Sequence, residues 1–312
     1  MGDLYKQYQR FRKLMEELPY VVKANKINAR YLDIPAKKNR VNIFQYHPDR
    51  FYDLEIKSES NKYNLGDSLG EVIISFMLDK AGIDIDAEVS QTKHFNCVGT
   101  NIQGSYQDAT IWGSGILPKK TYAFWQKVCR RKLDIRAVRG PLTREILLKQ
   151  GQNCPDVYGD PAILMPLIYM PKQDMAKRKK LIIPQFLYEK EFRKNHPDEY
   201  MLSMNTNDFR HVIDEIVSSE IVYTSSLHGV ILAEAYGVPA VLFRGLEEHW
   251  DFKYYDWYQS TGRMNVKIAE TYEDALSMEP LPLPKLDGLM KGLLDTFPYD
   301  LWEPKTINEW RY

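Results

Sequence analysis

From residue 41 onward, short apolar runs alternate with amphipathic segments of helical length, and this alternation constrains the fold more than any other feature. VNIFQY (41–46), ATIWGSG (109–115) and LDIRAVRG (133–140) are typical of strands, two of them running into glycine-containing loops. DSLGEVIISFMLDKAG (67–82) and PLTREILLKQG (141–151) have the spacing of helices, and each ends in glycine. Strands separated by helices favour a parallel, doubly wound sheet.

The second half of the chain repeats this pattern. Strands are predicted at 180–185, 221–225 and 239–243. A helix is predicted at 205–220, and the polar, basic segment PKQDMAKRKK (171–180) is typical of a linker. We therefore predict an α/β protein of two doubly wound, Rossmann-like domains with a central cleft.

The same patterns divide the chain into four parts. Residues 1–40 form a predicted N-terminal helical appendage, 41–172 an N-terminal α/β domain, and 180–262 a C-terminal α/β domain. Residues 263–312 form a helical tail, which could pack back on the N-terminal domain.

Composition excludes several classes of function. Basic and acidic residues number 42 each, so no net charge draws the chain to nucleic acid. No window approaches the roughly 18 apolar residues of a membrane-spanning helix, and the N-terminus lacks the apolar core of a signal peptide. The three cysteines cannot all pair, and none stands in a Cys-x-x-Cys arrangement. We predict a cytoplasmic protein without a metal site.

Two corners in the first half place polar or glycine residues where a strand or loop leads into the next element. In KYNLGDSLG, Asn64 and Asp67 stand at the start of the 67–82 helix, where they could bind a ligand or cap the helix. In WGSGILP, Gly113, Ser114 and Gly115 would let backbone approach a ligand closely, although a plain turn has the same sequence.

Two further corners carry a cation and a histidine. Arg139 ends a strand just before a helix N-terminus, where it could hold a carboxylate or phosphate or remain a surface arginine. Ser225, Ser226 and His228 lie together between a buried strand and the helical run VILAEAY. A lone histidine is more often structural, but hydroxyls, helix amides and an imidazole at one corner are suited to binding phosphate.

A further polar feature is the segment HWDFKYYDWYQSTGR (249–263), in which Lys253, Asp256 and Arg263 alternate with aromatic rings. Such a mixture is typical of a loop that binds a sugar or an anionic substrate. An aromatic packing loop explains it equally well.

Taken together, these segments resemble the polysaccharide pyruvyl transferase family. The resemblance covers roughly residues 41 to 263, and its motifs occur in the family's order. They are NLGDSLG, WGSGIL, VRGPLTREILLKQG, YGDPAIL, YTSSLHGVILAEAYGVPAVLF and DWYQSTGR.

The resemblance implies a two-domain fold like the GT-B glycosyltransferases. It also implies transfer of the pyruvyl group of phosphoenolpyruvate onto two hydroxyls of a sugar, with formation of a cyclic ketal and release of phosphate. The acceptor would be a saccharide of a bacterial exopolysaccharide or cell-wall polymer, or its lipid-linked precursor, and no cofactor is required. Arg139 and His228 match the arginine and histidine of the family's donor site.

This chain departs from the family at one position, because Ser226 stands where relatives have arginine. Arg244, Lys253 and Arg263 are candidates for the missing positive charge.

Within the implied reaction, we expect His228 to be the acid that protonates the donor's methylene carbon. The helix N-terminus favours a neutral imidazole, whereas bound anions favour imidazolium. Asp67 or Asp160 is expected to deprotonate the acceptor hydroxyl.

Two alternatives remain open at this stage. The chain could be a GT-B glycosyltransferase that uses a nucleotide sugar, or a non-catalytic protein of polysaccharide assembly. A lipid-linked acceptor would bring it to the inner face of the cytoplasmic membrane. The N-terminal helix could then serve peripheral membrane docking or a homodimer contact.

Overall fold

A computed structural model describes residues 37–44, 64–102, 108–116, 132–171, 178–245 and 251–302. All but the last residues of the predicted N-terminal appendage lie outside the described residues, as do most of the predicted linker and residues 45–46 of the first predicted strand. The two predicted roles of the N-terminal helix therefore stay predictions.

The first half of the chain forms a parallel four-stranded sheet with helices between some of its strands. In chain order its elements are β1 (Val41–Phe44), α1 (Leu65–Lys80), β2 (Lys93–Asn96), β3 (Ala109–Trp112), β4 (Leu133–Ala137), α2 (Pro141–Lys149), a 3₁₀ helix (Pro161–Leu164) and α3 (Met165–Ile168). The strands pair in the order β1-β2-β3-β4, and the register shifts once between β3 and β4, at Ile111 and Trp112.

The second half forms a parallel three-stranded sheet in the order β5-β6-β7. Its elements are β5 (Leu181–Ile183), α4 (Glu189–Asn195), α5 (Phe209–Val217), β6 (Val222–Thr224), α6 (Leu227–Ala235) and β7 (Ala240–Leu242). They are followed by α7 (Asp251–Ser260), α8 (Tyr272–Leu276), α9 (Asp287–Asp295) and a 3₁₀ helix (Tyr299–Trp302).

The mixed α/β class with parallel sheets agrees with a Rossmann-like fold. In both sheets the described strands follow chain order, so the reversal of order that defines a doubly wound sheet is not seen among them. The doubly wound arrangement and the division into two GT-B domains stay predictions.

Burial explains why the short strands are almost uniformly apolar. Every residue of β3, β5, β6 and β7 is buried, as expected for parallel strands covered on both faces. One cluster of buried side chains joins the halves, because it includes Leu69 of α1, Ile163 of the first 3₁₀ helix and Ile231 of α6. The two halves therefore share one continuous apolar core.

The segment predicted as a substrate or packing loop at 249–263 is instead mostly a helix, α7. Three of its aromatic side chains are buried: Tyr254, Trp257 and Tyr258. The helix was missed because Lys253 and Asp256 are buried as well, so polar and apolar residues do not separate into two faces.

The end of the described chain packs on the first sheet. Trp112 Nε1 donates to the Leu293 carbonyl at 3.0 Å, and Trp302 Nε1 donates to the Ile85 carbonyl at 3.0 Å. The Phe297 ring meets Trp112 edge-on, with centroids 5.0 Å apart. These contacts cover one face of the sheet with aromatic side chains.

Candidate active site at the strand ends

Five buried ionisable side chains gather where the strands of the two sheets end. Arg139 follows β4, Asp67 lies in the first turn of α1, and His228 lies in the first turn of α6. Asp160 precedes the first 3₁₀ helix, and Lys253 lies on α7. Asp67 interacts electrostatically with His228, Asp160 and Lys253, and Lys253 with Arg139, so the five form one group.

Arg139 is fully buried and only partly paired. Its Nε donates to Asp256 Oδ2 at 3.1 Å, and its Nη1 donates to Thr100 Oγ1 at 2.5 Å. Its Nη2 has no hydrogen-bond partner among the described residues. A Cβ at Gly115 would lie 2.3 Å from Nη2, so glycine makes room for the guanidinium there. A buried donor without a partner is costly, which points to a ligand at this atom.

Asp256 supports Arg139 from the other half of the chain. Besides Arg139, its carboxylate accepts from the Thr143 backbone N–H at 2.9 Å and from the Thr143 hydroxyl at 2.7 Å. Thr143 lies in the first turn of α2, where a carboxylate also meets the positive end of the helix dipole. Asp256 therefore ties α7 to α2 and holds the guanidinium in place.

His228 is held between two elements. A Cβ at Gly66 would lie 1.8 Å from Nδ1, so the ring packs directly on the backbone of α1. On its other side, Nε2 lies 3.6 Å from Asp160 Oδ2. Neither Nε2 nor Asp160 Oδ2 has a hydrogen-bond partner among the described residues.

The pKa values of Asp67 and Lys253 are both shifted toward 7. Burial raises the pKa of Asp67 to about 7, although His228, Lys253 and a 2.7 Å hydrogen bond from Asn64 oppose the change. Burial, assisted by the charge of Arg139, lowers the pKa of Lys253 to about 7. Carboxyl and amine groups tuned toward neutrality are common where protons are transferred.

The serine hydroxyls predicted to bind the donor form hydrogen bonds within the protein. The Ser225 hydroxyl accepts from the Gln185 N–H at 2.8 Å, and the Ser226 hydroxyl accepts from the Gly229 N–H at 3.4 Å as the cap of α6. Ser114 donates to Asn101 Oδ1 at 2.6 Å. These three hydroxyls hold the loops in place, and none of these bonds leads into the charged group.

Gly113 and two of the predicted cations also have structural roles. Gly113 has a φ of 77°, and a Cβ there would lie 2.3 Å from Pro161. Arg244 is paired with Asp251 at 2.7 Å and with Glu270. Arg263 forms a two-pronged pair with Glu234, with N···O distances of 2.5 and 2.8 Å. Of the three candidates for the missing charge at position 226, Lys253 is the one placed beside Arg139.

Some neighbours of the site were not singled out from the sequence. Thr100 binds Arg139, and Gly99 has a φ of 97° and packs against Asp67, where a Cβ would lie 2.3 Å from Oδ1. Both belong to the loop after β2, a strand that was itself missed because KHFN lacks an apolar pattern. Gly99 was the only residue of this loop that could have indicated a special backbone conformation from the sequence.

The described part of the chain shows neither a cluster suited to a metal ion nor a helix suited to span a membrane. Within the described ranges, no group of three or more histidine, cysteine or acidic side chains is arranged to hold a metal ion. None of the helices in the same part of the chain has the length and apolar character needed to cross a bilayer.

Comparison with known proteins finds a match to one protein family. Residues 98–245 match the family described as polysaccharide pyruvyl transferase. A protein named uncharacterized protein L143, from Acanthamoeba polyphaga mimivirus, is 26% identical over 206 residues, or 62% of this chain and 69% of the relative. The relative's name states no activity, so it adds similarity without function.

The family match is narrower than the resemblance seen in the sequence. It includes Arg139, Asp160 and His228, but it leaves out the motifs at 64–70 and 256–263, for which the resemblance stays a prediction. Within its limits it supports the suspected family: residues 98–245 of this chain match the polysaccharide pyruvyl transferases.

Proposed function

We propose that this protein transfers the pyruvyl group of phosphoenolpyruvate to two hydroxyls of a saccharide, forming a cyclic ketal and releasing phosphate. The family implies a transferase acting on polysaccharide. The observation that supports the finer statement most is the buried, partly unpaired Arg139, which interacts electrostatically with Lys253 and belongs to the same buried group as His228.

Arg139 and Lys253 are the proposed donor-binding cations. Phosphoenolpyruvate carries a carboxylate and a phosphate, and the guanidinium Nη2 is a donor suited to either group. Lys253 takes the place of the arginine that relatives carry at position 226, because it is buried and interacts electrostatically with both Arg139 and Asp67. A bound anion would favour the ammonium form of Lys253, so donor binding would be accompanied by proton uptake near pH 7.

His228 is the proposed acid. Its proton goes to the methylene carbon of the enol, and an acceptor hydroxyl attacks the resulting cationic carbon. Loss of phosphate and attack by the second hydroxyl complete the ketal. Of the two hydroxyl protons, one replaces the proton lost by His228 and the other leaves with phosphate. Protonation by a positioned acid is worth roughly 10²- to 10⁴-fold in rate.

Asp67 is the proposed base for the attacking hydroxyl. A carboxyl group with a pKa of about 7 can accept a proton from the acceptor and pass it on at neutral pH. Asn64 holds one oxygen of this carboxylate at 2.7 Å and so supports its orientation.

The setting of the reaction is also a proposal. A GT-B-like pair of domains would place the donor at the strand ends, and a lipid-linked acceptor of a bacterial polymer would bring the protein to the inner face of the cytoplasmic membrane. We expect the reaction to require no cofactor.

The proposal is tested with the full chain, phosphoenolpyruvate and a panel of pyranosides that have a free pair of neighbouring hydroxyls. Acceptor-dependent phosphate release and a new ketal methyl signal in the proton NMR spectrum are expected. His228→Gln should lower turnover by roughly 10²- to 10⁴-fold. The matched control is His196→Gln, because His196 pairs with Glu273 away from the site.

Two results would contradict the proposal. Tight binding of a nucleotide sugar without binding of phosphoenolpyruvate would indicate a glycosyltransferase. Binding of neither donor would indicate a non-catalytic role.

A further inference from the structure

The His228 ring has two unlike sides. Nδ1 lies against the backbone of α1 at Gly66, where a Cβ would come within 1.8 Å. Nε2 is directed toward the carboxylate of Asp160, 3.6 Å away, and both atoms are enclosed by protein. Because an imidazole has only two nitrogens, the group beside one of them decides the tautomer and the role of the other.

Asp160 is itself rigidly placed. Its Oδ1 accepts from the Ala162 N–H at 3.1 Å and so caps the first 3₁₀ helix, and the side chain is fully buried. Oδ2 is therefore a buried acceptor without a hydrogen-bond partner among the described residues. The neighbouring His228 Nε2 is also buried and also lacks a partner among them. A carboxylate can only accept a hydrogen bond, so the complementary partner is a protonated Nε2.

We propose that Asp160 is the positioning residue of His228: its carboxylate accepts from Nε2–H, and Nδ1 is therefore the nitrogen that gives its proton to the donor. The separation of 3.6 Å is longer than a hydrogen bond, and such contacts often shorten only when substrate is bound. This inference rests on the proposed function for its consequences in turnover, but the tautomer is a property of the protein alone.

The other charged groups do not take the place of Asp160. Asp67 interacts electrostatically with His228, but one of its oxygens is bonded to Asn64 and the other lies against Gly99. A negative Asp160 also stabilises imidazolium, which is the form that delivers the proton. After transfer, the ring is neutral, retains Nε2–H on Asp160, and regains a proton at Nδ1.

The test is Asp160→Asn, which keeps the oxygen that caps Ala162 and replaces the other by an NH₂ donor. That donor can bond only an unprotonated Nε2, so the variant should shift His228 to the Nδ1–H tautomer. We expect Nε2–H in the wild type and Nδ1–H in the variant by ¹⁵N-resolved NMR, with His228→Gln identifying the signals. In turnover, the loss should be roughly 10²- to 10⁴-fold, because an NH₂ donor facing Nε2 disfavours the imidazolium that delivers the proton.

Asp208→Asn is the matched control, because Asp208 caps α5 through its bond from the His211 N–H and lies outside the charged group. It should change neither the His228 tautomer nor turnover. An Nδ1–H tautomer in the wild type would overturn the inference without any variant, and so would an unchanged tautomer in a folded Asp160→Asn. A tautomer change in a protein that binds no phosphoenolpyruvate would uphold the positioning role and contradict the proposed function instead.

Discussion

Two arginine–carboxylate pairs lie near α7, and they differ in what they leave unpaired. Arg139 bonds Asp256 and Thr100 through two of its nitrogens and leaves Nη2 without a partner among the described residues. Arg263 uses all three nitrogens, since Nε donates to Thr261 and both Nη atoms donate to Glu234. The first guanidinium has a nitrogen available for a ligand, whereas every nitrogen of the second is already bonded.

The carboxylates of the two pairs differ in the elements that they connect. Glu234 also accepts from Trp257 Nε1 at 2.9 Å, so its bonds stay within α6, α7 and the residues that follow. Asp256 joins α7 to the first turn of α2, and so connects elements of the two halves. Both pairs stabilise the fold, but only the pair at Arg139 borders the buried group that contains His228.

Arg139→Gln is expected to have the largest effect. It should lower phosphoenolpyruvate affinity by roughly 10²- to 10³-fold, because it removes a buried, charged donor. It should also lower the free energy of unfolding by about 3 to 5 kcal/mol, because Asp256 stays buried without its counter-charge. Calorimetric binding and urea unfolding measure the two effects. Unchanged affinity in the folded variant would remove Arg139 from the donor site.

Arg263→Gln should reproduce only the second of these effects. Glu234 is almost fully buried and would lose its counter-charge, so the free energy of unfolding should fall by about 3 kcal/mol or more. Phosphoenolpyruvate affinity per folded molecule should stay within about twofold of the wild type. If it fell as far as in Arg139→Gln, the distinction between the two pairs would be wrong.

Asp67→Asn is expected to change how stability depends on pH. The pKa of Asp67 is raised from 3.8 to about 7 by burial, so between these values the folded protein keeps a proton that the unfolded chain has lost. Wild-type stability from this group is therefore present at low pH and is lost as pH rises toward 7, at up to about 1.4 kcal/mol per pH unit.

The variant lacks this loss, so the stability of Asp67→Asn relative to the wild type should increase from about pH 4 to about pH 7 and then level off. Urea unfolding across this range tests it. Parallel curves for the two proteins would show that the Asp67 carboxyl titrates normally. Lys253, whose pKa is lowered to about 7, has the opposite effect above pH 7, where wild-type stability from that group increases with pH.

Arg244→Gln should have the smallest effect. Arg244 is partly exposed, and the buried Asp251 that it pairs with lies in the first turn of α7, where the helix dipole offsets part of the lost charge, so the free energy of unfolding should fall by only about 1 to 2 kcal/mol. Donor affinity should not change measurably by calorimetry. A large loss of affinity would instead favour Arg244 over Lys253 as the substitute for the arginine missing at position 226.

Much of the local structure could be predicted from the sequence. α1 was expected at 67–82 and is found at Leu65–Lys80, and the strand expected at 221–225 is found at Val222–Thr224. These elements have clear apolar periodicity or end in glycine, both of which are local signals. β2 and α7 were missed because KHFN is largely polar and α7 buries charged residues among its rings.

The candidate site was predictable in part for the same reason. The corners that contain Arg139 and His228 could be recognised because polar residues directly follow apolar strands. The family also followed from motifs that are continuous in the chain, and the match supports it over residues 98–245. The role of each polar side chain could not be predicted, since Ser225 and Ser226 turn out to bind backbone amides.

The sequence alone therefore determined the α/β class, the main strand-to-helix corners and the family, because each depends on residues that are neighbours in the chain. The tertiary structure decided the partners: Arg139 with Asp256, His228 with Asp160, and Lys253 rather than Arg244 or Arg263 in electrostatic contact with Arg139. These residues are separated by many tens of positions. They meet only because burial of the apolar faces of α1, α6 and their neighbours brings the ends of the two sheets together.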